Sequence, residues 1–528
     1  MNCLNHHTLF LKFLFQKATG NDPGAMMLRV WKYDGTMKNV NNLRKNIRVD
    51  GVPGEGYVLY WMQINRRLHF NYALDYAVAW ANRLGRPLVI LEGVACDYPW
   101  ATARTTAFIL EGMAEHCKQL RDVAPVTYIP FPEQKHGSYD QLLRVLCRDA
   151  AILVSDEYPV FIMRERNEQL EKELKIPFHT IDSNGIIPMA LSEKAPYSAF
   201  IFRRMMQKRF LECRSHPPDP QPLNGLQNFG NPDLPAEVKS KQAAGSEHLG
   251  TPAAIVAFVN GLTSLNSNVR PVEIKGTRSA GLARLEAFLE NDLMRYEDDR
   301  NHADLERTSR LSPWLHFGKI SAFEVVDKVL TMQPEGWDVS KVRPVGGKRS
   351  GFFGGDASVE AFLDEIITWR ETGFHFAWNR SDYDQFESLP AWARATLSDH
   401  AGDPRSYLYT YRQLEESKTH DPIWNAAQTQ LRVEGRIHNY LRMLWGKKVL
   451  EWTPDPQTAL SYLIDLNNTY AIDGRDPNSY SGIFWIFGRF DRAWGPERPV
   501  FGKIRYMTSN SARKKIKLDQ YVKRYSGL

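Results

Sequence analysis

Cysteine is scarce. The five in 528 residues are Cys3, Cys96, Cys117, Cys147 and Cys213, and no two stand in a CxxC spacing. That argues against a zinc site and a disulfide framework, and favours a reducing, cytoplasmic setting. Long apolar runs are missing too: no eighteen-residue stretch could span a bilayer. The opening HHTLFLKFLFQK is interrupted by Lys12 and has no basic segment before it, so it makes a poor signal peptide. Met26-Met27 offers an alternative natural start, with residues 1–25 as an extension. No GxGxxG follows the first apolar strand, which leaves a dinucleotide site of that type unsupported. There is no internal repeat.

What remains is ordinary in bulk and uneven in placement. A hydrophobic content of 43% and a charged content of 24% allow a large core. The net charge is only +6, yet Gly502–Leu528 holds eight Lys/Arg against one acid, Asp519. Basic charge gathered at one end suits a phosphate-rich partner or, equally, a solvated tail helix.

From residue 56 apolar strands alternate with helical periods. Strands are expected at 56–62, 88–95, 126–131, 150–156 and 178–183, and helices at 70–84, 105–121 and 139–149. This order predicts an α/β domain with a parallel, Rossmann-like sheet. Residues 1–50 then form a partly disordered N-terminal extension and 51–205 the α/β domain. Pro, Gly, Asn and Ser dominate about 213–250, so 206–275 is read as an interdomain linker. Residues 276–528 are all-α, with helices expected at 279–298, 320–330, 359–372 and 430–452. GGKRSGFFGGD within 335–356 reads as a mobile exposed loop, either a plain insertion or a segment lying near nucleic acid.

Five of the fourteen tryptophans fall between Thr419 and Tyr506. Trp445 and Trp452 are seven apart and share a helical face, which alone reads as core packing. The polar run 467–481 reads as a shaped loop, with turns at Asp473-Gly474 and Asp476-Pro477. THDPIWN (419–425), RMLW (442–445), DGRDPN (473–478) and GKIRYM (502–507), in that order, resemble class II cyclobutane pyrimidine dimer DNA photolyases, flavoenzymes of the photolyase/cryptochrome family that use light to split pyrimidine dimers. The likeness is strong from about residue 288 onward and weaker over 56–202.

The resemblance implies an FAD-binding helical domain and a DNA substrate; no membrane and no obligate protein partner are expected, and the chain is expected to be a monomer. It implies cofactor contacts from Tyr296, Ser309, Leu311, Ser312, Arg442, Asp473 and Asp476, with Asn467 facing flavin N5. A neutral amide there suits either protonation state of the flavin edge. Ser312 before Pro313 also reads as a plain helix N-cap. Glu365 would hydrogen-bond the flipped dimer, Trp369 and Trp485 would wall it, and Met443 would lie below. Trp494 and Arg505 would enter the vacated duplex space, with Arg300 and Asn301 near the lesion. Trp445, Trp424 and Trp452 match an electron relay from flavin to surface, with Tyr409 as a further step.

Two departures from the family pattern bear on function. Gln63-Ile64-Asn65-Arg66-Arg67 with Phe70-Asn71-Tyr72 lacks the family's acid and Trp, which leaves a second, antenna chromophore (a deazaflavin or another) open. After Trp485 the chain reads Ile-Phe-Gly-Arg-Phe-Asp491-Arg492, one residue shorter than the family and without its His. That keeps (6-4) photoproduct repair open as an alternative substrate. A cryptochrome-like photoreceptor without repair is the other alternative, opposed by the intact set Glu365, Trp369, Met443 and Trp485.

Overall fold

A computed structural model describes residues 40–526 except 122 and 124. The alternative start and the proposed disorder before residue 40 lie outside the described residues.

Six strands form one sheet in the order β1-β6-β5-β2-β3-β4: β1 Lys45–Val49, β2 Tyr57–Met62, β3 Leu88–Val94, β4 Val126–Pro132, β5 Ala150–Asp156 and β6 Phe178–Ile181. β2 sits centrally, pairing in parallel with β3 (Leu59 opposite Val89) and β5 (Leu59 opposite Leu153). Every residue of β2, β3 and β5 is buried, which is why they read as continuous apolar runs: parallel strands are covered on both faces. The expected parallel sheet is therefore present, with one addition. β1 joins β6 antiparallel at the edge, so the sheet begins inside the segment assigned to an extension ending at residue 50. Its sequence, KNIRV, is mixed and half-exposed, as an edge strand tolerates.

The helix Tyr72–Leu84 starts on the Asn71 cap and stops where Gly85 turns left-handed at φ 64°. The stretch taken as a linker holds two helices, Ala236–His248 and Pro252–Gly261. The first lies on β4: Gln242 donates to the Tyr128 carbonyl at 2.7 Å, and Gly245 lets the backbone approach the Pro130 carbonyl. Proline and glycine there punctuate short covering helices.

Past residue 276 the chain is helical. The run expected as one helix over 430–452 is two, Pro422–Glu434 and Asn439–Trp452, broken where Gly435 takes φ 72° and caps the first. The helix Pro456–Tyr470 carries Asn467, so the expected polar loop shrinks to the turn between it and Pro477–Ile486. The glycine-rich loop is tied down through Gln207, Arg203 and Glu360, with Phe352 and Phe353 buried, contrary to the mobile reading. The basic C-terminal segment is docked as well, since Tyr521 donates to Gln430 at 2.7 Å.

The α/β and helical regions are fastened by polar clasps. Arg104 donates to the carbonyls of Leu431, Arg432 and Tyr470, where two helices end. Buried Glu371 accepts from the Ile186 and Ile187 N–H groups, and burial pushes its carboxyl up to about 7.

Candidate lesion and cofactor site

One irregular helix organises the site. The α-helix Ala357–Leu363 widens into a π-helical stretch, Asp364–Trp369, before Arg370–Trp378 resumes as α. Single π turns inside α-helices occur often at functional sites, and this one carries both Glu365 and Trp369. Its ends are anchored. Asp356 caps the first helix, and Asp364 pairs bidentately with Arg203 at 2.7 and 2.9 Å.

Glu365 accepts from Arg300 at 2.6 Å, and the Arg300 guanidinium lies 5.3 Å from the Tyr296 ring. Burial raises the Glu365 carboxyl above its ordinary range, and the Arg300 charge opposes that rise. Tyr296 also packs edge-on against Phe288 and Phe362. Asn301 beside this group is exposed.

Trp369 and Trp485 are stacked, with centroids 4.8 Å apart and planes at 16°. A ring inserted between them would need two contact layers, about 7 Å. The pair as it stands therefore admits no ring between its faces and offers only its edges and outer faces. Gly373 eases the close approach of the two helices: a Cβ there would sit 2.8 Å from Ser481 Oγ and 3.1 Å from the Pro477 carbonyl, so a larger residue would force these neighbours to shift. Both tryptophans remain half-exposed, and Trp485 Nε1 has no hydrogen-bond partner among the described residues. Lys447 is buried behind the wall and donates to the Ile486 carbonyl; burial lowers its ammonium to about 7.

After Trp485 the shortened segment folds into a knuckle. Trp494 lies between Arg492 and Arg505, at 4.7 and 4.3 Å, and donates to Asp491 at 3.0 Å. Asp491 also pairs with Arg505 at 3.3 Å, so the structure brings Trp494 and Arg505 together.

A second polar group collects at the turn after Asn467. Arg442 approaches Asp473 at 3.6 Å, and buried Asp473 Oδ1 has no hydrogen-bond partner among the described residues. Asn467 donates to Asn468, which receives the Arg475 N–H. Asp476 has less freedom: it caps Pro477–Ile486 through Asn478, and its other oxygen meets Tyr158 and His316, both at 3.1 Å. The His316 contact ties SRLSPWLHFGK to this turn. Within that segment Ser312 opens the helix Ser312–His316 without capping it, Leu311 is buried, and Ser309 offers its carbonyl to Arg284. The N-cap reading of Ser312 is thus replaced by Leu311 at that position, with no side-chain cap.

The third group is a line of aromatics. Trp445 donates to Gln428 at 2.9 Å, and Trp424 donates to the Trp445 carbonyl at 2.9 Å. Trp424 meets Trp452 edge-on at 5.7 Å, and Trp452 meets Tyr409 at 5.4 Å. Tyr409 shares a 2.7 Å hydrogen bond with His420, which stacks on Tyr407, 47% exposed, at 3.6 Å. Met443 lies half-buried against this core.

Sequence reasoning missed His420 and Tyr407, although His420 stands inside THDPIWN. It also missed a small cleft, about 60 Å³ in cavity volume and open to solvent at its mouth, lined by Arg66, Tyr139, Arg166, His316 and Phe317 among others. The Gln63–Arg67 run, noted only as a family departure, was the available signal. Among the described residues no cluster of His, Cys, Asp or Glu could hold a metal, and no helix is long and apolar enough to cross a membrane.

This architecture, an α/β sheet domain joined to a helical region, is that of photolyases and cryptochromes. A bacterial class III photolyase from Agrobacterium tumefaciens superposes with TM-score 0.62, covering 91% of this chain and 88% of its own at 17% identity. A cryptochrome from Synechocystis sp. PCC6803 gives TM-score 0.61 at 16% identity, covering 90% and 89%. No family model matches the chain. Curated relatives decide more narrowly. The deoxyribodipyrimidine photo-lyase of Methanothermobacter thermautotrophicus is 33% identical over 93% of this chain and 98% of its own. Those of Oryza sativa subsp. japonica and Arabidopsis thaliana are 35% and 32% identical, over 90% and 88% of this chain and 89% and 88% of their own. The chain belongs to the deoxyribodipyrimidine photo-lyase family.

Proposed function

We propose that this chain is a light-dependent DNA repair enzyme of the class II type, splitting cyclobutane pyrimidine dimers flipped out of duplex DNA. The observation that carries this reading, in a chain of this family, is that one π-helical turn bears both Glu365 and Trp369, with Trp485 of the helix Pro477–Ile486 stacked on Trp369. Extruding a dimer costs a few kcal/mol, least for a poorly stacked lesion. Stacking on an aromatic face returns about 1–3 kcal/mol per base. Glu365, oriented by Arg300, offers the base edge a carboxyl, and Met443 bounds the floor. Arg492, Trp494 and Arg505 fill the space the dimer leaves, with Arg300 and Asn301 near the lesion.

The residues fit FAD. Buried Asp473 Oδ1 has no hydrogen-bond partner among the described residues, only the Arg442 guanidinium at 3.6 Å, a donor and acceptor set that a polar cofactor could complete. Tyr296, Ser309, Leu311, Ser312, Arg442, Asn467 and Asp473 would hold it, and Asp476 would act by fixing the turn. Reduced FAD, when bound and excited, supplies the electron that opens the dimer. Trp445, Trp424, Trp452 and Tyr409 form the route by which electrons reach the buried site from the surface. The protein works as a monomer in the cytoplasm, on nucleoid DNA.

Purified protein, blue light and dimer-containing DNA, with a dark control, test the reading. Loss of dimers only in the light supports it. Unchanged dimers with flavin bound would favour a photoreceptor, and reversal of (6-4) products alone would move the substrate.

A further inference from the structure

The glycine-rich segment Lys341–Gly355 has four cations, Lys341, Arg343, Lys348 and Arg349, and no acid. Composition alone reads as a floppy insertion. Its backbone is instead held along its length. Gln207 accepts from the Val345 and Gly347 N–H groups and donates to the Lys348 carbonyl at 3.0 Å. Glu360 accepts from Gly351, Phe353 and Gly354. Phe352 and Phe353 pack edge-on against Phe210, at 5.8 and 5.2 Å. Gly347, at φ 87°, lies directly on the helix Ala199–Arg214, where a Cβ would come within 3.0 Å of the Phe200 carbonyl.

The part left outward is Lys348-Arg349-Ser350, all exposed, with exposed Arg204 and Lys208 on the helix beneath. Arg349 reaches toward the π-helical turn: its Nε is 3.9 Å from Asp364, whose carboxylate is already paired bidentately with Arg203. Its side chain is 54% exposed, so the contact leaves it free to engage something else. The next residue is Glu365.

We propose that Lys348 and Arg349 form a preorganised phosphate clamp that grips the DNA backbone beside the flipped dimer. The inference rests on the reading that the chain binds damaged duplex. The chemistry is that of backbone positioning: cations bind phosphates without reading sequence, and a loop already rigid loses little entropy on binding. The clamp adds affinity to damaged and undamaged duplex alike and leaves lesion preference to the tryptophan wall.

The test uses the full chain and fluorescence anisotropy on a duplex with one cyclobutane dimer and its undamaged twin, between 50 and 200 mM NaCl. Lys348→Gln with Arg349→Gln lowers the slope of log K against log salt by about 1.8, because each lost phosphate contact removes about 0.9. The same pair weakens both duplexes by about tenfold or more at 0.1 M salt, with their ratio kept. Lys348→Arg with Arg349→Lys preserves the slope, and melting temperature confirms that both variants fold. Lys172→Gln with Lys175→Gln, in the connection before β6, leaves the slope unchanged. An unaltered slope in the first variant, or an equal fall in the Lys172/Lys175 control, overturns the clamp. A wild-type protein with no preference for the dimer duplex overturns the damaged-duplex reading itself.

Discussion

Two sets of tryptophans divide the helical half. Trp424, Trp445 and Trp452 are 0%, 1% and 2% exposed and packed in one apolar core, and the first two have their indole N–H groups bonded. Trp369 and Trp485 are half-exposed, stacked on each other, and Trp485 keeps a buried N–H with no hydrogen-bond partner among the described residues. A core is satisfied internally; a binding wall holds back surface and a donor for something that arrives. The difference separates side chains whose removal should cost folding from those whose removal should cost recognition.

The largest effect belongs to the buried set. Trp445→Ala leaves a cavity and strands Gln428 Oε1, so unfolding free energy falls by about 3–5 kcal/mol. Urea denaturation measures it, and a loss under about 1 kcal/mol would break the division. Trp369→Ala should leave the denaturation midpoint nearly unchanged while dimer-DNA affinity falls by about 1–3 kcal/mol, roughly 5- to 150-fold. Equal losses in folding and binding would show that the two sets are not distinct.

That division was only partly legible in the sequence. The motifs around Trp424, Trp445 and Trp485 marked the region, but spacing alone made Trp445 and Trp452 a core pair and could not show that Trp485 stacks on Trp369, 116 positions away. The π-helical turn left no trace, because DEIITW carries ordinary helix formers and β-branched residues and the widening comes from tertiary anchors such as Asp364–Arg203. Gly435 sits within a continuous helical pattern, so the break after Glu434 was invisible until its left-handed φ appeared. The buried parallel strands were the clearest elements, being short, apolar and bounded by turns. β1 was lost because an edge strand is half-exposed and carries Lys and Arg.

Asp476 tests how the wall is fixed, since it caps the helix that carries Trp485. Burial alone would raise its carboxyl, but the His316 contact, Arg370 and the Asn478 N–H hold it down, from 3.8 to about 2. A depressed carboxyl stabilises the fold above its unfolded value, and that stability is lost as pH falls through about 2. Asp476→Asn should therefore cost about 2 kcal/mol at pH 7, and the gap to wild type should close between about pH 4 and pH 2. A gap independent of pH would assign the loss to packing, and the charge would then have no part in setting the wall.

The smallest structural change probes the buried set for more than packing. Trp424→Phe keeps an aromatic ring beside Trp452 and removes one indole donor, so folding should change by about 1–2 kcal/mol at most. If these rings only fill space, photoreduction of the bound flavin should survive the exchange. If they conduct, photoreduction should slow, because phenylalanine is much harder to oxidise than tryptophan, while repair by protein reduced in the dark continues. The two assays on one variant separate the roles: an unchanged photoreduction rate would return all three tryptophans to the core, and a parallel loss of dark-reduced repair would mean that the substitution had disturbed the site itself.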